Sequence, residues 1–308
     1  MNIAFLFSGQ GSQYPGMGLE LYSSFEAVKK VYETGSRILN YDLATLSFEG
    51  SAEDIAKTAV SQPLIYAMSL ACLAAAKEKG IAPACCAGHS LGEYAALTAC
   101  GVFDIETGFR IIAKRAEAMQ RAADSEGGAM YAIIGLSAGE IAETCAACEG
   151  YVVPVNFNST AQTVIAGEEQ AARLAADTLA ANGGRVIRLG VSAAFHSKLM
   201  EGASAELKAF LSDISYCQPA VPFYSNITGA HLEKIDGLSN YLSRHVVSSV
   251  RFTDELAAMA AGGMDAFLEL GPGKTLSGFV KKTLKGASAY NIEDLASLEK
   301  TAAALVQA

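Results

Sequence analysis

Ser90 lies in "GHSLG" (88–92), between a short apolar run, "ACCAG" (84–88), and a helix-like stretch over 91–100. Strand, G-x-S-x-G and helix in that order are what a nucleophile elbow requires. Gly88 and Gly92 leave room for a sharp turn that holds Ser90 in a strained backbone state, its hydroxyl exposed at the start of a helix. The Leu91 amide then points the same way and can donate to an oxyanion, with a small contribution from the helix dipole. A serine hydroxyl is a poor nucleophile at neutral pH and needs a base. The chain has four histidines. His89 adjoins the serine, and neighbours on a turn diverge. His231 falls in a polar hairpin-like stretch, "TGAHLEK". His196, in "VSAAFHSKLM", comes directly after a predicted strand and is the expected general base.

A cation completes the set. On a helix predicted over 105–121, Ile105, Phe109, Ile112, Ala116 and Met119 form one apolar stripe. Arg110, Lys114 and Arg121 fall opposite it, and Arg115 lies about 80° from its centre, at the edge of the buried face. An arginine there either snorkels to water or binds an anion, and wheel geometry leaves both open.

These residues need a scaffold. Residues 3–7 read as a buried strand, followed by helices near 17–34, 51–57 and 61–79. From 128 the pattern changes. Strand 128–136, helix 138–149, strands 151–157 and 163–167, helix 168–182 and strand 184–190 run β-α-β-β-α-β, the order of a ferredoxin-like unit. Helices then return, with a last buried strand over 264–270. The expected fold is α/β: a parallel-sheet core domain resembling the hydrolases, from 1–126 and 191–308, with a ferredoxin-like small domain inserted at 127–190. A cleft between the two is the default ligand site, and His196 would stand at its mouth.

Bulk properties narrow the function. The 308 residues are 51% hydrophobic and carry a net charge of −9, which suits a soluble globular protein and argues against tight nucleic-acid binding. "MNIAFLF" lacks a basic leader region, and the apolar stretch 64–76 stops short of a membrane span, so neither a signal peptide nor a membrane anchor is expected. Seven cysteines without framework spacing suit a reducing cytoplasm. Cys145 and Cys148 have CxxC spacing, but within a predicted helix they read as small helix residues. Two nucleotide motifs fail on spacing: "GPGKT" (271–275) would need glycine at Leu268, and "GQGSQY" (9–14) would need a third glycine at Tyr14.

"GQGSQ" (9–13), "GHSLGEY" (88–94), "KRAEAMQ" (114–120), "NFNSTAQTVIAG" (156–167), "SAAFHS" (192–197), "SNITG" (225–229) and "LELGPGKTLSGF" (268–279) together resemble the malonyl-CoA:acyl carrier protein transacylases of bacterial fatty acid synthesis, over essentially the whole chain. The resemblance implies that Ser90 carries the malonyl group and that His196 is the base. It implies that the backbone amides of Gln10 and Leu91 form the oxyanion hole and that Arg115 grips the malonyl carboxylate. Gln62 would line the pocket. Phe195, before the histidine, would crowd a methyl-branched substrate. The carbonyl near His245 would hold the histidine without an acidic third member. It further implies a ping-pong exchange between malonyl-CoA and an acidic acyl carrier protein, a monomer, and no metal or redox cofactor. Two positions depart from the family pattern: His245 stands where glutamine is common, and Ser249 where proline is. A basic patch of Lys274, Lys281, Lys282, Lys285, Arg185 and Arg188 is the expected carrier contact. A polyketide or malonate-decarboxylase acyltransferase, an esterase and a non-catalytic docking module are the competing readings.

Overall fold

The computed structural model describes residues 1–306. In chain order its strands are β1 (Ile3–Phe7), β2 (Cys85–Gly88), β3 (Ala129–Ile134), β4 (Val152–Ser159), β5 (Gln162–Gly167), β6 (Arg185–Arg188), β7 (Tyr224–Ser225), β8 (Ala230–His231), β9 (Ala266–Leu270) and β10 (Ser288–Ile292).

The first sheet is parallel, in the order β10-β9-β1-β2. Its central strand, "IAFLF", is buried along its whole length, as expected where helices cover both faces. Alternate residues serve opposite faces. Ile3, Phe5 and Phe7 join the main apolar core, whereas Ala4 and Leu6 join a second cluster with Phe252, Leu256 and Phe279. Beyond β2, the backbone amide of Cys86 donates to Pro222, which brings the residue 222–226 segment alongside the end of that strand. The Thr58–Glu78 helix is long and apolar enough to cross a membrane, but most of that apolar stretch is buried in the core.

The second sheet is antiparallel, in the order β4-β5-β3-β6, with helices Ala138–Ala147 and Glu169–Ala181 between its strands. Its faces also divide by parity: Ala129, Tyr131 and Ile133 pack on its own helices, while Met130 and Ala132 face the main core. Val250 ties it to the other body, accepting from the Phe157 amide and donating to Val155.

Local chemistry explains where the structure departs from the sequence reading. The helix expected over 17–34 is two, Leu19–Ser24 and Glu26–Leu39, broken at an extended Phe25. Ser23 and Ser24 bond back to the carbonyls of Leu19 and Glu20, a competing partner at the break. The stretch expected to be helical over 51–57 holds only a 3₁₀ turn, Asp54–Ala56. A helix at Leu43–Glu49, capped by Asp42 accepting from the Thr45 amide, was not expected. Strand 264–270 is not the last: β10 extends the parallel sheet at its edge, where "SAYNI" is half-exposed and lacks a continuous apolar run.

Candidate active site

Strand β2 ends at Gly88, the Gly92–Ala99 helix begins four residues later, and Ser90 turns the corner at φ 52°. A β-carbon on Gly92 would sit 2.0 Å from the carbonyl oxygen of Phe7, so the turn packs directly on β1. The loop after β1 closes over the same corner, since a β-carbon on Gly9 would meet the His89 carbonyl at 2.7 Å. This close packing explains an uncharged, glycine-rich loop at that point in the chain. Among the described residues, no protein acceptor takes the backbone N–H of Gln10 or Leu91, which leaves both free for an incoming oxygen. The Gln10 side chain is engaged elsewhere, donating to Thr58 at 3.2 Å.

His196 lies 106 residues further along the chain, yet its Nε2 is 2.6 Å from Ser90 Oγ. Its backbone also has positive φ, 62°. Nδ1 faces two main-chain carbonyls, Ser248 at 3.0 Å and His245 at 3.2 Å. Carbonyls only accept, so the proton is on Nδ1 and Nε2 is left to accept from the serine hydroxyl. The expected His245 contact is therefore shared, and the Ser248 carbonyl is the nearer partner. Burial, aided by the charge of Arg115, pushes the imidazole down to about 3. His196 is thus neutral at neutral pH, as a base must be. Ser249 donates to the Pro154 carbonyl at 3.3 Å, anchoring the loop to β4.

Arg115 is not at the edge of a buried face but 1% exposed, on a helix that runs Ile105–Glu126. Tertiary packing decides this: the helix is covered on one side by Thr58–Glu78 and on another by Glu201–Leu211. Nη1 donates to Gln62 Oε1 at 2.5 Å, Nη2 donates to Ser90 Oγ at 3.4 Å, and among the described residues Nε has no partner. The guanidinium lies over the Tyr94 ring at 5.0 Å. Burial lowers its pKa, but a guanidinium starts so high that it remains a cation. Nη2, the guanidinium nitrogen beside the nucleophile, is the one placed to meet a carboxylate on an acyl group held at Ser90.

A cavity of about 340 Å³ opens over this centre, with Gln10, Ser90, Met119, Leu189, Phe195 and His196 among its walls. Phe195 is 7% exposed. Gln62 and Arg115 lie behind the wall, one layer deeper than the sequence placed them. His89 turns away from Ser90 to Asn158, at 2.7 Å, and His231 is exposed in the β7–β8 hairpin. Of the expected basic patch, Lys281, Lys282 and Lys285 are exposed, while Lys274 pairs with Glu293 and Arg188 with Glu169. Cys145 is part of the small sheet's apolar core. Among the described residues no group of three or more His, Cys, Asp or Glu side chains gathers as metal ligands would.

Sequence reasoning missed the polar layer beneath the elbow. Asn226 follows β7, and Glu93, Tyr241, His245 and Glu255 surround it. The Asn226 amide donates to Glu93 Oε2, and the Tyr241 hydroxyl donates to Glu93 Oε1, both at 2.6 Å. Burial pushes Glu93 up to about 8 and Glu255 well above the ordinary carboxylate range. Polar residues at 0% exposure have no periodicity to betray them. The only available signal was that Glu93 and Asn226 fall inside motifs.

Residues 4–305 match the acyl transferase domain family. The chain is 38% identical to malonyl CoA-acyl carrier protein transacylase of Bacillus subtilis, over 96% of this chain and 95% of that one. It is 40% identical to the Escherichia coli K12 protein of the same name, over 94% and 95%. Among solved structures it superposes with a TM-score of 0.94, at 36% identity and covering 99% and 100%, on a malonyl-transacylase in complex with a type II polyketide acyl-carrier protein.

Proposed function

The chain belongs to the malonyl CoA-acyl carrier protein transacylase family, within the acyl transferases, and on that premise we propose how its own residues move a malonyl group from coenzyme A to a carrier protein. The observation that carries the reading is the contact of three groups: Ser90 Oγ lies 2.6 Å from a neutral histidine and 3.4 Å from a buried, partly unengaged guanidinium. An esterase needs the first pair but has no use for the second.

In the forward half-reaction, the Ser90 hydroxyl passes its proton to His196 Nε2 as Oγ bonds to the malonyl thioester carbon. The carbonyl oxygen becomes an oxyanion, held by the Gln10 and Leu91 amides. The C–S bond then breaks, and His196 returns the proton to the departing coenzyme A sulfur. The malonyl ester remains on Ser90, its carboxylate against the Arg115 guanidinium on the Nη2 side. In the second half-reaction the phosphopantetheine thiol of the carrier gives its proton to His196 and attacks the ester. C–O cleavage returns the proton to Ser90. His196 is alternately base and acid in both halves. The carbonyls on Nδ1 stabilise the transient imidazolium by hydrogen bonding, without a carboxylate.

The reaction supplies the extender unit for fatty acid synthesis. The carrier docks beside the cleft between the two sheets, within reach of exposed Lys281, Lys282, Lys285 and Arg185. The division into a 127–190 insert and a surrounding body is part of the same proposal, with catalysis at the junction. Phe195 on the cavity wall favours malonyl over methyl-branched acyl groups. The overall test is direct: the protein incubated with malonyl-CoA should gain one malonyl group by intact mass and lose it on adding holo carrier protein. No mass gain would end the reading, and loss to water at the same rate without carrier would favour an esterase.

Arg115 supplies substrate choice. With acetyl-CoA its buried charge stays unpaired, and breaking a buried pair costs roughly 3–5 kcal/mol. Water entering beside the smaller acyl group recovers part of this. A remaining penalty of ~3 kcal/mol corresponds to around a hundredfold preference for malonyl. Arg115→Ala is therefore expected to lose about that factor in its malonyl-to-acetyl ratio of kcat/KM, and Arg115→Lys should restore it only in part. An unchanged ratio in Arg115→Ala would remove the residue from substrate recognition.

A further inference from the structure

We propose that Asn226 is a positioning residue for the nucleophile, clamping both sides of the Ser90 turn and tying it through His245 to the loop that orients His196. Its side-chain oxygen accepts from the Ser90 amide at 2.8 Å, and its side-chain nitrogen donates to the Gly88 carbonyl at 2.6 Å. One planar amide thus grips the residues before and after His89, at the corner where Ser90 holds a backbone conformation that non-glycine residues avoid.

Every other polar group of Asn226 is also engaged. Its second amide hydrogen goes to Glu255 Oε1 at 2.8 Å, its main-chain N–H to Glu93 Oε2, and its carbonyl to the Arg251 amide at 3.0 Å. The oxygen that holds Ser90 takes one further bond, from His245 Nε2 at 3.1 Å. His245 therefore carries its proton on Nε2, and among the described residues its Nδ1 has no partner. Through its main chain the same His245 accepts from His196 Nδ1. Nucleophile and base, distant in sequence, are thereby joined through the Asn226 side chain and His245, neither of which is among the residues lining the cavity.

The site demands asparagine. It needs one acceptor and two donors on a single flat group, fully buried. Aspartate lacks the donors and would add a third carboxylate beside Glu93 and Glu255. Serine and threonine are too short to reach both backbone groups. The location explains the "SNITG" motif, to which the reaction itself assigns no role: the segment beside β2 delivers Asn226 to the underside of the elbow.

The kinetic part of the test rests on the transacylase reading above; the other parts do not. In Asn226→Ala and Asn226→Asp, confirmed folded by circular dichroism, single-turnover acylation by malonyl-CoA should fall about a hundredfold, the order of loss for a misplacement of about 1 Å. KM for malonyl-CoA should stay within about threefold, because Arg115 and Gln62 do not touch Asn226. Labelling of Ser90 by a fluorophosphonate, which needs the aligned hydroxyl but no malonyl group, should fall in parallel. Acylation and labelling within about threefold of wild type in a folded variant would overturn the proposal. So would a loss shared equally between kcat and KM, the mark of general loosening. If neither variant folds, hydrogen exchange on the wild-type protein decides: the Ser90 amide should be strongly protected, and exchange as fast as an exposed loop amide would overturn the clamp. A wild type that reacts with fluorophosphonate yet takes no malonyl group would count against the transacylase reading alone.

Discussion

Ser90→Ala is expected to take up no malonyl group from malonyl-CoA, whatever the incubation time, when the protein is weighed intact. The loss should be complete because the geometry offers no substitute. Among the described residues His196 Nε2 meets the hydroxyl of Ser90 alone, and the amides of Gln10 and Leu91, without a protein acceptor, flank that corner of the chain. Alanine also removes little else. Among the described residues Ser90 Oγ has two partners, His196 and Arg115, and the Asn226 bond to the main-chain amide survives the change. Alanine is, however, no better suited than serine to φ 52°, so the turn keeps its strain. The variant should therefore still fold and still bind malonyl-CoA at Arg115. An adduct mapped by peptide mass to any other residue would refute the elbow as the acyl carrier.

His196→Ala is expected to slow single-turnover acylation by ~10²–10⁴-fold, the usual contribution of a positioned general base. Arg115 and the Gln10 and Leu91 amides proposed for the oxyanion remain, so binding should persist while the chemical step fails. The pH dependence adds a signature. Burial and the Arg115 charge hold the imidazole down to about 3, so the free enzyme keeps its base neutral well below the usual histidine range. Since kcat/KM reports the free enzyme, it should not fall on acidification through about 6.5, the ordinary histidine value. The bound malonyl carboxylate offsets the Arg115 charge, so kcat, which reports the complex, should show a higher pKa than kcat/KM. Acylation at the wild-type rate in His196→Ala would rule out the role. An acid limb in kcat/KM at the normal histidine pKa would mean that the cavity is wetter than its burial implies.

Much of this was already legible in the sequence, for a reason that differs from element to element. Strand β1 could be read because burial on both faces makes a parallel strand an unbroken apolar run. The ferredoxin-like order could be read because helices and strands alternate with distinct periods. The elbow could be read because a sharp strand-to-helix turn needs small residues at fixed spacing, and that requirement is local. Strand β10 escaped because an edge strand need not be apolar. Leu43–Glu49 escaped because its strongest signal was one capping aspartate.

Three features were decided by tertiary structure alone. The first is the depth of Arg115: a helical wheel sees one helix, whereas two neighbouring helices bury this one on both sides. The second is the nearer partner of His196: the resemblance implied the carbonyl near His245, but the Ser248 carbonyl, a group any residue type possesses, could not be marked by composition. The third is the network of Asn226, Glu93, Tyr241, His245 and Glu255, whose members lie up to 162 positions apart, from Glu93 to Glu255. Residue types and short spacings determine what chemistry a chain can offer. Which polar groups are dried, paired and aimed depends on contacts between segments that meet only in the folded chain.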